Sequence, residues 1–212
     1  FEGYANRDSL AYREVYGIDS IPTLYRGTLR RKGFAEAWNI FVQLGITDDS
    51  FKLENSECIS NREFINMFLP YCESLSVEEK ICNQFNLTLN SDVFQKIVWL
   101  GFFEDSIIGV KNASPAQLLQ AILEKKWTLG SEDKDMLVMQ HQFEFLLDNK
   151  QHKLNSSLLV FGEDPRYTAM AKTVGLPVAI ATKLILTGKI QSKGVRIPIS
   201  KDIYIPVLKE LS

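Results

Sequence analysis

The 212-residue sequence predicts an α+β protein: a mixed, mostly antiparallel sheet covered by helices and interrupted by an inserted all-helical subdomain. Three observations carry that prediction. Apolar and polar residues alternate around 23–31 and again around 135–162, which is strand periodicity. Between them, from about 46 to 128, the period lengthens to that of a helix, and three helix-start signatures appear. A long, small-residue-rich apolar run then closes the chain's second half. Mixed, helical and mixed segments in that order place 1–45 and 129–166 in one sheet-containing domain, 46–128 in the insertion and 167–212 in a C-terminal helical segment.

The first strand is read from "TLYRGTLRR", Thr23 to Arg31, with Leu24, Arg26, Thr28 and Arg30 on one face and Tyr25, Gly27 and Leu29 on the other. Gly33 releases the chain into a helix whose stripe is Phe34, Trp38, Phe41 and Val42, and Gly45 stands at its C-terminal cap. In the helical block, Ser60–Glu63, Ser76–Glu79 and Ser114–Gln117 are capping boxes: each serine satisfies an orphan amide while the Glu or Gln reaches back to the serine N–H. Pro115 suits the first helical position, where its missing N–H costs nothing. "DVFQKIVWLGFF" is a further helix, with Val93, Ile97 and Leu100 beside Phe94 and Val98.

"KDMLVMQHQFEFLLDN" is a strand with one face of Leu137, Met139, His141, Phe143, Phe145 and Leu147, and Gln140, Gln142 and Glu144 on the other. That alternation predicts a half-buried strand with one wet face. "DNKQHK" is a polar turn, and "LNSSLLVFG" is its returning hairpin partner. His141, on the apolar face, reads as a satisfied core histidine rather than a general acid.

"TAMAKTVGLPVAIATKLILTG", Thr168 to Gly188, is the longest apolar stretch. A membrane span needs roughly 20 apolar residues. Lys172, Lys183, Gly175 and Pro177 interrupt this run, so it is read as a helix of a globular protein. Ala171, Gly175 and Ala179 stack on one face, where another backbone could approach closely. Pro177 frees the carbonyl of Thr173, so a kink or a helix restart is expected there. A helix apolar on most sides needs cover on most sides, which implies a second subunit or a domain outside this chain.

Composition limits the function classes. A formal net charge of −2 gives no basic face for nucleic acid, and Arg30, Arg31 and Lys32, the only tight basic run, read as a solvated strand end. Cys58, Cys72 and Cys82 are odd in number and lack CxxC spacing, so they predict buried free thiols, suited to a reducing cytoplasm, and neither a disulfide framework nor a zinc site. With His141 and His152 the only histidines, no metal site is expected. The chain opens on Phe1 with no signal-peptide pattern, as expected of a piece of a longer protein. No G-x-G-x-x-G, P-loop, G-x-S-x-G or H-E-x-x-H occurs, so no self-contained glycine-rich nucleotide site is expected.

Four motifs occur in a telling order: "YANRDS" (Tyr4–Ser9), "RGTLRRKGF" (Arg26–Phe34), "DMLVMQHQF" (Asp135–Phe143) and "AMAKTVGLPVAIATKLIL" (Ala169–Leu186). Together they resemble the C-terminal part of the L-glutamate-forming saccharopine dehydrogenase (saccharopine reductase) family. The resemblance is tight over 1–45 and 132–212 and loose over the helical block. Ala5 stands where the family pattern has proline.

That resemblance implies a Rossmann domain upstream of this chain, a substrate-binding and dimerisation domain, and a helical domain inserted in the latter. It implies NADP as the cofactor, bound mainly by the Rossmann domain, and NADPH-dependent condensation of L-glutamate with 2-aminoadipate 6-semialdehyde to saccharopine in cytoplasmic lysine biosynthesis. The implied assembly is a homodimer, and this chain alone is expected to be inactive. Saccharopine's three carboxylates call for guanidinium forks. The resemblance places substrate contacts on Arg7, Thr28, Leu29 and Arg30, with Arg26 a weaker candidate and no catalytic residue in this chain. Two other readings stay open: the dehydrogenase half of a bifunctional lysine-degrading enzyme, and a non-catalytic dimerisation or interaction module of the same fold.

Overall fold

The computed structural model describes residues 1–6 and 8–212. The chain divides into two compact units, residues 1–13 with 20–128 and residues 14–19 with 129–212. The α+β class is realised, among the described residues, by eight α-helices and two separate two-stranded antiparallel ladders in place of one sheet.

In the first unit, β1 (Glu2–Ala5) is followed by the one-turn α1 (Tyr12–Tyr16, which runs past the unit's boundary) and by β2 (Gly27–Arg30). Strands β1 and β2 pair antiparallel, with Glu2 opposite Arg30 and Tyr4 opposite Thr28. β2 covers only the second half of the stretch read as a strand, because β1 is four residues long and offers no ladder further out.

Helix α2 (Phe34–Leu44) ends on Gly45 at φ 81°, a left-handed cap that glycine adopts without a Cβ clash. The helical block continues with α3 (Asn61–Asn66), α4 (Val77–Phe85), α5 (Asp92–Leu100) and α6 (Pro115–Trp127). All three expected capping boxes form, at Ser60–Glu63, Ser76–Glu79 and Ser114–Gln117, and Ser91 caps α5 through the Phe94 N–H. The core beneath them is apolar and tight: Phe64, Ile65, Ile81, Ile97, Phe102 and Leu118 are fully buried, and the Phe41 and Phe102 rings lie 4.8 Å apart. Helix α2 contributes Ala37, Ile40, Phe41 and Leu44 to that core. Most polar groups inside it are paired: Asn61 Nδ2 donates to the Gly101 carbonyl at 2.9 Å, although Asn61 Oδ1 has no partner among the described residues. Ser56 Oγ donates to the Val110 carbonyl at 2.8 Å and accepts from the Ala113 N–H at 2.9 Å.

In the second unit, β3 (Met136–Leu147) and β4 (Lys150–Phe161) form a hairpin with all twelve residues of each strand in register. Its turn is two residues, Asp148 and Asn149, both with positive φ (50° and 56°), and not the six-residue "DNKQHK" expected. Asp and Asn tolerate the left-handed region, so the turn closes at once and "KQHK" joins the ladder.

The half-buried strand is also corrected. Neither face of the hairpin is covered within the unit, and Phe143, Phe145, Leu154 and Leu158 stay 40–54% exposed. His141 is exposed too, stacked 6.1 Å from Phe143, and is no core histidine.

The apolar run forms a continuous helix whose first part, Ala171–Gly175, is a π turn, followed by α7 (Leu176–Leu186). The Leu176 N–H reaches back five residues to the Ala171 carbonyl. Widening by one residue accommodates Pro177, and the α-helix starts anew at Leu176 with Pro177 in its first turn, the restart that was expected, here reached through a π turn. Its start is tied to the hairpin: the Asp135 carboxylate accepts the N–H of Ala169 at 2.6 Å and of Met170 at 3.1 Å. Helix α8 (Lys201–Leu211) packs against α7 through Leu184, Ile190 and Val207, with Lys183 and Glu210 paired at 2.8 Å. Gly175 has nothing within 4 Å of where a Cβ would stand, so the Ala171–Gly175–Ala179 face is open.

Among the described residues, no helix is long and apolar enough to cross a membrane. The three cysteines are free. Only Cys82 is buried, so the expectation of buried thiols fails for the exposed Cys58 and the half-buried Cys72.

Candidate functional site

The candidate site stands on β2 and the loop before it. In an antiparallel pair, opposed residues share a face, so Thr28 and Arg30 lie on one face with Tyr4 and Glu2. Leu29, opposite Gly3, is on the other face and 38% exposed, leaving its backbone and packing as its contribution on the first. The structure therefore brings Thr28 and Arg30 together and sets Leu29 apart from them. Arg7 lies outside the described residues.

Arg26 and Arg30, the described guanidiniums on this face, are each held by a ring. Arg30 Cζ lies 5.5 Å from the Phe34 ring centroid, and its Nη1 donates to the Leu29 carbonyl at 2.8 Å. Arg26 Cζ lies 3.7 Å over the Tyr12 ring. Among the described residues, neither Arg26 nor Arg30 forms an ion pair. A cation held over a ring keeps its N–H fork open at the edge, which is the geometry that receives a carboxylate bidentately.

The rest of the motif positions the strand. The Asn6 N–H donates to the Arg26 carbonyl at 2.8 Å, and Ser9 Oγ lies 3.4 Å from the same oxygen. Asp8 accepts from the Leu10 and Ala11 N–H groups, closing the turn. Asn6 and Ser9 thus clamp the start of β2, with Asp8 closing the turn beside them.

Three residues outside the sequence-derived set complete the frame. The Tyr25 ring occupies the space beside Gly27, where a Cβ would come within 2.7 Å of it. Tyr12 supplies the ring under Arg26. Glu2 accepts from the N–H groups of Gly33 and Ala35 at 2.8 and 2.7 Å, capping a helix that has no side-chain cap of its own. The Ala35 and Gly33 amides, in that order, hold the Glu2 carboxyl below its ordinary value. Glu2 and Tyr12 lie far in sequence from the groups they hold, and no local signal announces them, whereas Tyr25 is two residues from Gly27 on the face that strand alternation assigns to both.

Both ladders are two-stranded and antiparallel, so the described residues contain no parallel β–α–β unit with a glycine-rich turn on which a dinucleotide pyrophosphate would sit. No three His, Cys, Asp or Glu side chains converge as a metal site among them.

The whole chain, residues 1–212, matches the family described as Saccharopine dehydrogenase C-terminal domain. It is 36% identical over 232 residues to the mitochondrial alpha-aminoadipic semialdehyde synthase of Rattus norvegicus, a match covering 99% of this chain and 23% of that protein. It is 34% identical over 218 residues to the saccharopine dehydrogenase [NADP(+), L-glutamate-forming] of Saccharomyces cerevisiae, covering all of this chain and 48% of the relative. The solved apo structure of saccharopine dehydrogenase (L-Glu forming) from Saccharomyces cerevisiae superposes with a TM-score of 0.79 at 32% identity, over 99% of this chain and 48% of that one. The chain thus spans about a quarter to a half of the length of these relatives.

Proposed function

This chain belongs to the saccharopine dehydrogenase C-terminal domain family, and from that premise we propose that it is the substrate-binding and dimerisation portion of an NADP-dependent saccharopine reductase. The reaction is the interconversion of saccharopine with L-glutamate and 2-aminoadipate 6-semialdehyde in cytoplasmic lysine biosynthesis. In the synthetic direction the glutamate amine would condense with the aldehyde and release water, and NADPH, when bound, would supply the hydride that reduces the imine carbon. NADP is held mainly by a dinucleotide domain elsewhere in a longer protein, and this chain alone is inactive. The same proposal makes 1–45 and 129–166 the substrate and dimerisation domain, 46–128 its helical insertion and 167–212 the segment that returns to the dinucleotide domain.

The observation that carries the reading is Arg30: a guanidinium on the Thr28 face, held by Phe34 and a backbone carbonyl, with no ion pair among the described residues. It is given the role of receiving one saccharopine carboxylate, with Thr28 donating a hydroxyl beside it and Leu29 lining the strand. Arg7, from the clamp motif, is given a second carboxylate.

The test is kinetic, on the full-length protein. Arg30→Ala and Arg7→Ala are each expected to raise KM for saccharopine by about 10- to 100-fold, as loss of a charged fork does, while KM for NADP stays within about twofold. An unchanged saccharopine KM removes that residue from the site.

A second reading, the dehydrogenase half of a bifunctional lysine-degrading enzyme, is favoured by the 36% identity to the rat synthase. Saccharopine formed from lysine and 2-oxoglutarate by the full-length protein would select it.

A further inference from the structure

All three tryptophans of the chain line one cleft in the first unit. Trp38 is its centre. It stacks on Phe34 (centroids 5.9 Å, 8° between planes) and on Trp127 (6.2 Å, 26°), and meets Phe41 edge-on at 5.8 Å. Trp99 also lines the cleft, with Lys126 Nζ 5.9 Å from its ring centroid. The cavity is about 250 Å³, and Trp99 and Trp127 remain 57% and 48% exposed beside it.

The rim is cationic. Arg31, Lys32 and Lys96 line the opening. Lys96 is ion-paired with Asp92 and lies over Gly33, where a Cβ would stand 3.1 Å from its Nζ. Arg31 and Lys32 form no ion pair among the described residues. Beyond Phe34 stands Arg30, so the positive field extends around that wall.

We propose that this tryptophan cleft is a second ligand site, for a small flat organic anion such as an aromatic carboxylate, sulfonate or phosphate ester. Ring walls offer stacking surfaces to a planar body, and the basic rim offers its acid group two unpaired cations. The size selects the class. Drug-sized ligands fill roughly 300–1,000 Å³, so a cleft of about 250 Å³ suits a smaller molecule of one or two fused rings. A docked protein would require a far broader patch than one pocket provides, on the order of 800 Å² per partner.

The three indoles make the test direct, because each Nε1–H is a separate nuclear magnetic resonance reporter inside the cleft. Titrating the full chain with 1-naphthalenesulfonate is expected to move all three indole resonances saturably, with a Kd below about 1 mM. The neutral 1-naphthalenemethanol is expected to bind at least about fivefold more weakly, and the double variant Arg31→Ala/Lys32→Ala to erase that difference. Both substituted residues are exposed, so the fold tolerates the change, and Trp99→Ala, also at an exposed position, is expected to weaken the sulfonate about tenfold or more. Indole resonances that do not move, that drift without saturation, or that respond equally to the neutral probe would overturn the proposal, leaving the cleft as surface ring packing alone.

Discussion

Glu2 accepts the Ala35 N–H at 2.7 Å, so a carboxylate on β1 caps a helix that begins more than thirty residues later. The bond fastens the β1–β2 ladder to α2 and thereby fixes where Arg30 meets Phe34. Glu2→Gln keeps the shape and removes the charge. It is expected to lower the thermal midpoint by a few degrees, with the first turn of α2 losing amide protection. Equal exchange rates at Gly33 and Ala35 in the variant and the parent would show that the cap is not stabilising.

Acid should do the same without mutation. Amide donors lower the Glu2 carboxyl from its ordinary 4.5, the Ala35 amide most and Gly33 next. The Ser60 and Ser76 backbone N–H groups likewise lower Glu63 and Glu79 in their capping boxes. A carboxyl whose folded value lies below its unfolded one binds protons more readily when unfolded. Its contribution is therefore complete above about pH 4.5 and is lost as pH falls through the folded values. Stability measured from pH 6 down to about 3 is expected to fall over that window, and less steeply in a Glu2→Gln/Glu63→Gln/Glu79→Gln variant.

Gly162 is buried at the base of the hairpin, and a Cβ there would collide with Asp135 Oδ1 and close to 3.1 Å on the Ala169 N. The Asp135 oxygen it would displace is the one that accepts the Ala169 N–H. Gly162→Ala is expected to cost about 1 kcal/mol, the worth of a lost helix cap, and Asp135→Ala a similar amount. Because both act through one contact, the double variant should cost little more than either single one. Additive losses in a double-mutant cycle would separate the two effects.

What the sequence discloses here is what is local. Ser60, Ser76 and Ser114 announce their helices because both capping partners lie within four residues, and Gly45 ends α2 by its own left-handed φ. Thr28 and Arg30 share a face because alternation within one strand needs no other information. Coverage is not local. The apolar alternation of β3 is real, yet it cannot tell whether anything packs on that face, and Phe143 and His141 stay exposed. The same blindness applies to α2, whose Ile40 and Phe41 join the core of the block beyond Gly45. Around the site, Glu2 and Tyr12 act on groups far along the chain, so no spacing rule finds them.

The helical core gives the largest single-residue effect. Ile97 is fully buried among side chains from several helices. Ile97→Ala removes three heavy atoms and leaves a void that close-packed neighbours fill only in part, so a loss of about 2–5 kcal/mol is expected. Denaturant unfolding followed by the tryptophan fluorescence, which reports on this unit alone, measures it. A loss below about 1 kcal/mol would mean that the site collapses around the smaller side chain.

The proposed homodimer can be tested on the face that β3 and β4 leave open. Leu137, Met139, Phe143 and Phe145 of β3 share that face with Leu154 and Leu158 of β4, by register. The opposite face is polar along its middle, with Gln140 opposite Ser157 and Glu144 paired with Lys153 at 2.6 Å. The Leu137–Phe145 face carries the larger apolar area along its middle, so it is the face on which the proposed contact is tested. Phe143→Lys places a charge at the centre of the apolar face while leaving every backbone ladder bond in place. If the face pairs two copies, a buried unpaired ammonium should weaken the dimer by about 100-fold or more in sedimentation equilibrium, with the circular dichroism of the monomer unchanged. Glu144→Lys, on the wet face, serves as the control and is expected to shift self-association by less than about threefold. Equal sedimentation of the parent and Phe143→Lys would place the dimer contact elsewhere.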